Sequence, residues 1–476
     1  MAAAACLAKA GYEVDVFEKN STPGGRARKF SRDGFVFDMG PSWYWMPEVF
    51  DNFYRLFGKK TADFYKLVRL DPSYRVYFGT GDHVDIPADY QALKDLFEQI
   101  EPGSSRKLDT FLQAAEYKYK VGMNEFVWKP SLSITEFFDI RILKSLFQLQ
   151  MFSSLASEVD KLFSHPKLRE ILKFPVLFLG ATPEKTPALY SLMNYADLKL
   201  GTWYPEKGMY EIVDAFYQIA ISQGVRFHFS EEVTSIDVTG NEVTGMTTSN
   251  KSYTFDYVIG GGDYHHADQV LLPKAKRSYS EEYWKKRVMA PSSLLFYVGL
   301  SKKVNGLLHH NLFFDEDFAR HADEIYTNPA WPKNPLFYVS CPSKTDATVA
   351  PEGKENMFLL MPIAPGLDDN PAKREEYFDI MCDRIHKITT TDIRPWIEYK
   401  RSYCISDFKE DYHAFKGNAY GLANTLLQTA FLKPKMQHKA IKNLFFTGQL
   451  TTPGPGVPPS IISGQVVANY IIQNFS

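Results

Sequence analysis

The chain has 476 residues, of which 23% are charged, and a formal net charge of −2. This length allows two or three domains, and the near-zero net charge argues against nucleic acid as a partner. No apolar run reaches the roughly 18 residues of a membrane-spanning helix, and no basic region precedes the first apolar run as in a signal peptide. The four cysteines are widely separated, which predicts reduced thiols and no metal centre.

The first twenty residues predict a helix and then a strand. Met1–Ala10 is rich in alanine, Gly11 ends the helix, and Glu13–Phe17 is a strand that leads to Glu18. The alanines Ala2–Ala5 should let the helix pack closely on a sheet. In a dinucleotide-binding βαβ unit, an acidic residue about 20 positions after a glycine turn binds ribose. Glu18 holds that position, and the alternative is an ordinary helix–strand pair.

The segment after Glu18 strengthens the dinucleotide interpretation. Gly24 and Gly25 directly precede Arg26. Paired glycines let the backbone approach a phosphate, and an arginine pairs with phosphate charge. A basic cluster of this kind is otherwise a solvated surface, but its place behind a ribose-binding acid favours the pyrophosphate.

Further along the chain, three kinds of segment follow one another. Strands and turns extend to Asp89, and helical spacing then dominates as far as Leu200. A second helix–glycine–strand set follows, and then a mixed region over 290–400. Helix–strand alternation at both ends predicts one α/β domain built from separated segments, with a second lobe inserted.

The C-terminal segment predicts a strand, a loop and a helix. The strand is Leu444–Phe446, the loop is rich in proline and glycine from Pro453 to Pro459, and the helix begins near Ser460. The apolar face of this helix consists of Ile461, Gly464, Val467, Ala468 and Ile471.

These segments together resemble the bacterial carotenoid (phytoene) desaturase family, within the flavoproteins that include the amine oxidases. The resemblance runs from Met1 to Ser476 and is carried by VFEKNSTPGGRA, FDMGPSW, PEKGMYEIVDAF, GVRFHFSEEVTSI, GGDYHHAD and NLFFTGQLTTPGPGVPPSIISGQVVA. It implies an α/β fold, α+β in the second lobe, with a Rossmann-like FAD-binding domain of discontinuous segments. The implied boundaries are 1–90, 210–275 and 420–476 for that domain, 91–209 for a helical, membrane-facing region and 276–419 for a substrate-binding sheet domain.

An FAD site is implied, and no catalytic side chain is singled out. His265 and His266 are expected at the surface, and the C-terminal helix is expected to direct its N-terminus at the flavin, where it would stabilise negative charge. A plain docking helix is the alternative. The implied FAD-contacting residues are Glu18, Gly24, Gly25, Arg26, Gly40, Pro41, Val233, Asp263, Gly448, Gln449, Val457 and Pro458.

Two positions depart from the family pattern. Gln449 stands where many related flavoproteins have an acidic residue, so that contact with the cofactor would lack a charge. Lys207 precedes Gly208 where the family tends to have a second glycine.

The implied activity is the removal of a hydride and a proton from adjacent carbons of a C40 polyene such as phytoene. Such a substrate comes from a bilayer, so we expect a cytoplasmic protein bound peripherally to a membrane, with quinone or oxygen as the electron acceptor. The candidate membrane-facing residues, which otherwise belong to the core, are Phe137, Ile140, Leu143, Leu146, Phe147 and Met151.

Two alternative functions stay open. One is another carotenoid oxidoreductase of the same fold: an isomerase, a saturase or a desaturase of a later step. The other is a remnant that lacks flavin and has no catalytic activity, because no strand and glycine turn precede Met1. We expect the sequence to be truncated there, with weakened FAD affinity as a result.

Overall fold

The computed structural model describes residues 1–133, 153–425, 428–429 and 432–475. The candidate membrane-facing residues between Phe137 and Met151 lie outside this part of the chain. The α-helices are α1 (Ala2–Lys9), α2 (Pro47–Arg55), α3 (Tyr90–Ile100), α4 (Ser104–Val121), α5 (Leu155–Leu162), α6 (Pro166–Lys173), α7 (Leu192–Tyr195), α8 (Tyr210–Ser222), α9 (Tyr264–His266), α10 (Glu281–Lys285), α11 (Phe318–Tyr326), α12 (Pro371–Thr389), α13 (Ile405–Tyr412) and α14 (Val457–Phe475).

The strands are short, except for two neighbouring nine-residue strands in the largest sheet. They are β1 (Asp15–Glu18), β2 (Lys29–Arg32), β3 (Phe35–Asp38), β4 (Leu67–Arg69), β5 (Tyr74–Gly79), β6 (Asp82–Ile86), β7 (Trp203–Pro205), β8 (Arg226–Phe229), β9 (Val233–Thr239), β10 (Glu242–Thr248), β11 (Ser252–Thr254), β12 (Val258–Gly260), β13 (Ser292–Leu300), β14 (His310–Phe313), β15 (Phe337–Ser340), β16 (Glu355–Ile363), β17 (Ile397–Tyr403) and β18 (Leu444–Phe446).

Strands from distant parts of the chain pair in parallel in the first lobe. β1 pairs with β8, with Glu18 opposite Phe229, and β12 pairs with β18, with Gly260 opposite Phe446. Parallel pairing requires a crossover connection, so these pairs bring the start, the middle and the end of the chain together. The C-terminal strand has the bounds expected from the sequence.

Helices α1 and α14 pack against each other unusually closely. A Cβ atom on Gly464 would lie 2.9 Å from the backbone nitrogen of Ala3 and 3.0 Å from the Cβ of Ala2. Ala2 and Ala3 therefore approach another helix closely, and the packing of the alanines on a sheet stays a prediction. The predicted apolar face of α14 is buried at every position: Ile461, Gly464, Val467, Ala468 and Ile471.

The second lobe is built on a seven-stranded sheet in the order β17-β13-β16-β15-β14-β5-β6. Its second and third strands, β13 and β16, pair along nine residues and are buried almost throughout. The pairing of β14 with β5 is parallel, and the other pairs are antiparallel. Residues 74–86 therefore belong to this sheet and not, as the sequence boundary at 90 implied, to the first lobe, because strand partners are set by long-range packing.

Within the described part of the chain, none of the helices combines the length and the apolar character needed to cross a bilayer.

Candidate functional site

Glu18 lies at the carboxyl end of β1, next to the segment that contains Val233. Its carboxylate Oε1 accepts hydrogen bonds from the backbone nitrogen and from Nδ2 of Asn20, both at 2.8 Å. Its backbone oxygen accepts from the nitrogen of Glu231 at 3.0 Å, and Val233 begins β9 two residues later. The structure thus brings together two predicted site residues that are more than 200 positions apart in sequence.

The paired glycines form a tight turn against α8. A Cβ atom on Gly24, whose φ is +111°, would lie 2.9 Å from Cγ1 of Val213. A Cβ atom on Gly25 would meet nothing within 4 Å, so the backbone there is open to a ligand. Gly40 packs against the other side of the same turn. A Cβ atom added there would lie only 2.3 Å from the carbonyl oxygen of Arg26.

The Arg26 guanidinium is enclosed but not fully paired. It lies 5.0 Å from the ring centre of Tyr412, and Nη2 donates to the carbonyl oxygen of Asn418 at 3.3 Å. Its Nε is buried with no hydrogen-bond partner. Burial lowers the pKa of Arg26, and the charge of Asp263 partly offsets this effect. A buried N–H group without an acceptor has capacity left for an anion.

Asp263 follows β12 and caps α9 from a buried position. Its Oδ1 accepts from the backbone nitrogen of His266 at 3.1 Å, and Oδ2 accepts from that of Phe415 at 3.2 Å. Burial raises the pKa of this carboxyl, and the guanidinium of Arg26 opposes the shift. The carboxylate therefore joins the segment after β12 to the segment after α13.

The two histidines after Asp263 are half-buried, so the prediction that they lie at the surface is wrong. The ring of His265 stacks on Phe415 at 3.9 Å, and that of His266 stacks on His413 at 4.0 Å. Burial lowers the pKa of each to about 4, so both are neutral at pH 7. The covering residues, Phe415 and His413, lie about 150 positions later in the sequence, so no local pattern predicts these contacts.

The loop after β18 lies beside the end of β12. The backbone nitrogen of Thr447 donates to the oxygen of Gly260 at 3.1 Å, and that of Gly448 donates to Ser463 Oγ at 3.2 Å. Gly448 has a φ of +103°, and a Cβ atom there would meet nothing within 4 Å. Helix α14 begins at Val457 and Pro458, slightly earlier than the predicted start near Ser460.

Asn418, which the sequence analysis missed, connects the two halves of the site. Its Oδ1 accepts from Gln449 Nε2 at 3.1 Å, and its backbone oxygen accepts from Arg26. Asn418 is fully buried. The only sequence signal for Asn418 is that a polar residue follows a glycine in an irregular segment. That signal does not indicate Arg26 or Gln449 as its partners.

Pro41 lies in the wall of a small cavity between the lobes. The cavity holds about 20 Å³, which is room for about one water molecule. Its wall also contains Asp38, Tyr204, Met209 and His309. Pro41 therefore lies where β3 and the start of α8 pack against the seven-stranded sheet.

Asp38 holds the N-terminus of α8 in place. Its two carboxylate oxygens accept from the backbone nitrogens of Met209 at 2.7 Å and Tyr210 at 3.0 Å. These bonds satisfy N–H groups that have no partner within the helix. Burial nevertheless raises the pKa of Asp38 to about 6.

We expect the unfolding free energy to fall as the pH rises from about 4 to about 6, because of Asp38. Its pKa in the folded state is above the unfolded value of about 3.9, so ionisation is harder in the folded protein. A shift of this size corresponds to about 3 kcal/mol. Urea unfolding of the wild type and of Asp38→Asn across this range measures the effect. The difference between the two curves should change with pH, and parallel curves would contradict the prediction.

Lys207, one of the two departures from the family pattern, has left-handed backbone geometry. Its φ is +77°, and its backbone nitrogen donates to Asp346 Oδ2 at 2.6 Å. A glycine adopts this conformation without a steric penalty, which explains why glycine suits this position.

We expect Lys207→Gly to stabilise the protein by about 0.5–1 kcal/mol, because it relieves a left-handed conformation that is unfavourable for a residue with a Cβ atom. Denaturant unfolding measures the change. The matched control is Lys285→Gly at the end of α10, where φ is ordinary and glycine should destabilise by about 1 kcal/mol. Equal losses in both variants would refute the assignment.

Comparisons with known proteins agree with this geometry. A family model described as "Flavin containing amine oxidoreductase" matches residues 1–472. The carotenoid 3,4-desaturase of Haloarcula japonica is 40% identical across 100% of this chain and 96% of that protein. The zeta-carotene-forming phytoene desaturase of Myxococcus xanthus is 32% identical across 99% of this chain and 92% of its own length. The chain belongs to the carotenoid desaturase family, within the flavin-containing amine oxidoreductases.

Solved structures support the fold of this desaturase family member. An oxidoreductase from Methanosarcina mazei matches with a TM-score of 0.65 at 17% identity, covering 98% of this chain and 97% of that one. Cyclohexylamine oxidase from Brevibacterium oxydans matches with a TM-score of 0.60 at 13% identity, covering 99% and 96%. These similarities establish a mixed α/β fold of the flavin amine oxidase type.

FAD is the cofactor of this flavoprotein family, and the described residues fit it. The backbone at Gly25 and at Gly448 is open where a side chain would obstruct a ligand. Arg26 retains a buried N–H group without an acceptor. A site lined by glycine backbone and an arginine is the environment that the pyrophosphate of a dinucleotide requires.

Proposed function

We propose that this protein is a carotenoid desaturase that introduces a double bond into a C40 polyene such as phytoene. The observation that supports this most strongly is the convergence of Gly24–Arg26, Asp263 and Gly448–Gln449 on the short segment Phe415–Asn418. Those three segments come from the beginning, the middle and the end of the chain. A dinucleotide cofactor is long enough to span such a junction.

Each predicted residue has a role in this proposal. Glu18 binds the adenosine ribose and the backbone at Val233 contacts the adenine. Gly24, Gly25 and Arg26 bind the pyrophosphate. The flavin is bordered by the backbone at Gly40 and Pro41. It is also bordered by the start of α9, which Asp263 caps. The loop residues Gly448 and Gln449, and the α14 N-terminus at Val457 and Pro458, lie against the pyrimidine edge of the flavin.

The protein's task in this reaction is positioning and the exclusion of water. FAD, when bound, supplies hydride acceptance, which is the difficult part of the chemistry. The N-terminus of α14 would favour negative charge on the group that it faces. Asp38 orients α8, and Asn418 fixes Arg26 relative to Gln449. We assign no single side chain to proton removal.

The polyene substrate implies contact with a bilayer. A C40 hydrocarbon is practically insoluble in water, so the protein has to take it from a membrane surface. We therefore propose peripheral membrane association from the cytoplasm and transfer of electrons to a quinone or to oxygen. Nucleic acid has no part in this function.

A second candidate is desaturation at a later step, on a carotenoid that is already conjugated. It is favoured by the 40% identity to the carotenoid 3,4-desaturase of Haloarcula japonica, against 32% to the phytoene desaturase of Myxococcus xanthus. Both candidates have the same cofactor and the same chemistry and differ only in the substrate carbons.

The test uses purified protein loaded with FAD and liposomes that contain either phytoene or an acyclic conjugated carotenoid. Products are separated chromatographically and identified by their absorption spectra and masses. A loss of two hydrogens from phytoene supports the first candidate, and a loss only from the conjugated carotenoid supports the second. If neither polyene changes in the presence of a quinone or oxygen, the proposed function is refuted.

A further inference from the structure

Lys433 is a buried lysine with no partner among the described residues. Its side chain is 3% exposed, and its Nζ makes no hydrogen bond. Neighbouring residues 426–427 and 430–431, which lie outside the described part, are leucine, alanine and phenylalanine in sequence and bring no charge. Burial lowers the pKa of Lys433 to about 7.

An unpaired ammonium is costly in such a place. Burying an ion without a counter-charge carries a penalty of several kcal/mol, so buried lysines are almost always paired or neutral. Lys433 has therefore lost most of its hydration without a compensating contact from the protein. A lysine in this state is stabilised when an anionic ligand binds next to it.

Two other unpaired polar atoms lie on the same part of the structure. Asn424 Oδ1 and Thr452 Oγ1 are both buried without a hydrogen-bond partner, in residues that are 2% and 5% exposed. A Cβ atom on Gly454 would lie 2.7 Å from Lys433 Nζ and 3.4 Å from Asn424 Oδ1. The ammonium and the amide oxygen thus both reach the backbone of the loop between β18 and α14.

The loop and the lysine are fixed to each other. Thr451 Oγ1 donates to the backbone oxygen of Pro434 at 2.7 Å, directly beside Lys433. Gln428 holds the preceding segment by donating to the oxygens of Val288 and Ala423. The backbone around Lys433 is therefore held in place beside the loop by these side-chain hydrogen bonds.

We propose that Lys433, with Asn424 and Thr452, forms a site for a negatively charged group of bound FAD. Two parts of that cofactor have the required charge: the pyrophosphate, and the pyrimidine edge of the flavin after reduction. This site adds a residue-level detail to the proposed function. It rests on that function only in taking FAD as the cofactor. It does not depend on which carotenoid is the substrate.

The experiment compares wild type with Lys433→Met, which keeps the length of the side chain and removes its charge. Lys433→Arg retains the charge, and Lys442→Met is the control at an exposed lysine before β18. For each protein we would measure the melting temperature with and without FAD, the Kd for oxidised FAD, the reduction potential of the bound flavin and its affinity for sulfite.

Without FAD, Lys433→Met should melt at the same temperature as wild type or higher, because an unpaired buried charge has been removed. With FAD, its stabilisation by the cofactor should be smaller than that of wild type. If the anion is the pyrophosphate, the Kd for oxidised FAD should rise by about 10- to 100-fold, with the potential unchanged. If it is the pyrimidine edge, the potential and the sulfite affinity should fall, with a smaller change in Kd.

Either pattern, with partial recovery in Lys433→Arg and no change in Lys442→Met, supports the proposal. Unchanged Kd, potential and sulfite affinity in Lys433→Met would overturn it. So would an equal loss of melting temperature with and without FAD, because that result means that the lysine has only a structural role. A wild type that binds FAD in this Lys433-dependent way but leaves polyenes unchanged would refute the proposed substrate and retain this site.

Discussion

Gly40→Ala should abolish retention of the flavin and destabilise the protein by about 3 kcal/mol. The added methyl group would lie 2.3 Å from the carbonyl oxygen of Arg26, a backbone atom that cannot rotate away. Relieving the clash separates two chain segments, and Arg26 then loses its position. Flavin absorbance per protein after gel filtration and urea unfolding measure the two effects.

The matched control for this substitution is Gly122→Ala. Gly122 follows α4 with a helical φ of −58°, and a Cβ atom there would contact only a side-chain carbon of Leu192, at 3.5 Å. Its flavin content should equal that of wild type. Normal flavin content and stability in Gly40→Ala would show that the two segments are free to move apart, contrary to the structure.

Gly464→Leu should have a comparable effect through the packing of two helices. Because a Cβ atom at this position already lies 2.9 Å from the backbone of Ala3, a leucine side chain would force α1 away from α14. We expect a loss of about 3 kcal/mol or more, together with weaker FAD binding, since α14 begins at the proposed flavin site and would be displaced with α1. Denaturant unfolding and titration with FAD measure the change.

Asn469→Leu places the same side chain on an exposed position of the same helix. It should leave both stability and FAD affinity within experimental error of wild type. Comparable losses in the two leucine variants would indicate an effect of helix composition and not of the contact with α1.

Local patterns were sufficient for much of the first lobe. The strand at Leu444–Phe446 and the buried face of α14 have the expected positions, because a short apolar run and a helical stripe leave a direct signal in the sequence. The predicted ribose-binding position of Glu18 is a residue at the end of a parallel strand, as the motif requires. The place of Glu18 at the end of a strand was predictable because one short segment contains the whole helix–strand pattern; its ribose-binding role stays a prediction.

The remaining parts depend on contacts between residues that are distant in sequence. Asn418 meets Arg26 and Gln449 from another part of the chain, and Phe415 covers His265. Neither contact has a periodic or compositional signal. Lys433 looked like any other lysine in the sequence, because nothing there reveals that its ammonium is buried and unpaired. Strands β5 and β6 were given to the wrong lobe for a similar reason, since a hairpin does not reveal which sheet it joins.

The contact between α1 and α14 has a consequence for biosynthesis. During translation α1 is made long before α14, because about 450 residues lie between them. The part of α1 that contacts Gly464 therefore lacks its partner until nearly the whole polypeptide has left the ribosome. Long-range contacts of this kind slow folding and expose apolar surface to aggregation. Because the proposed FAD site uses residues from both ends of the chain, FAD would bind late in folding, and its supply in the cell would limit the yield of native protein.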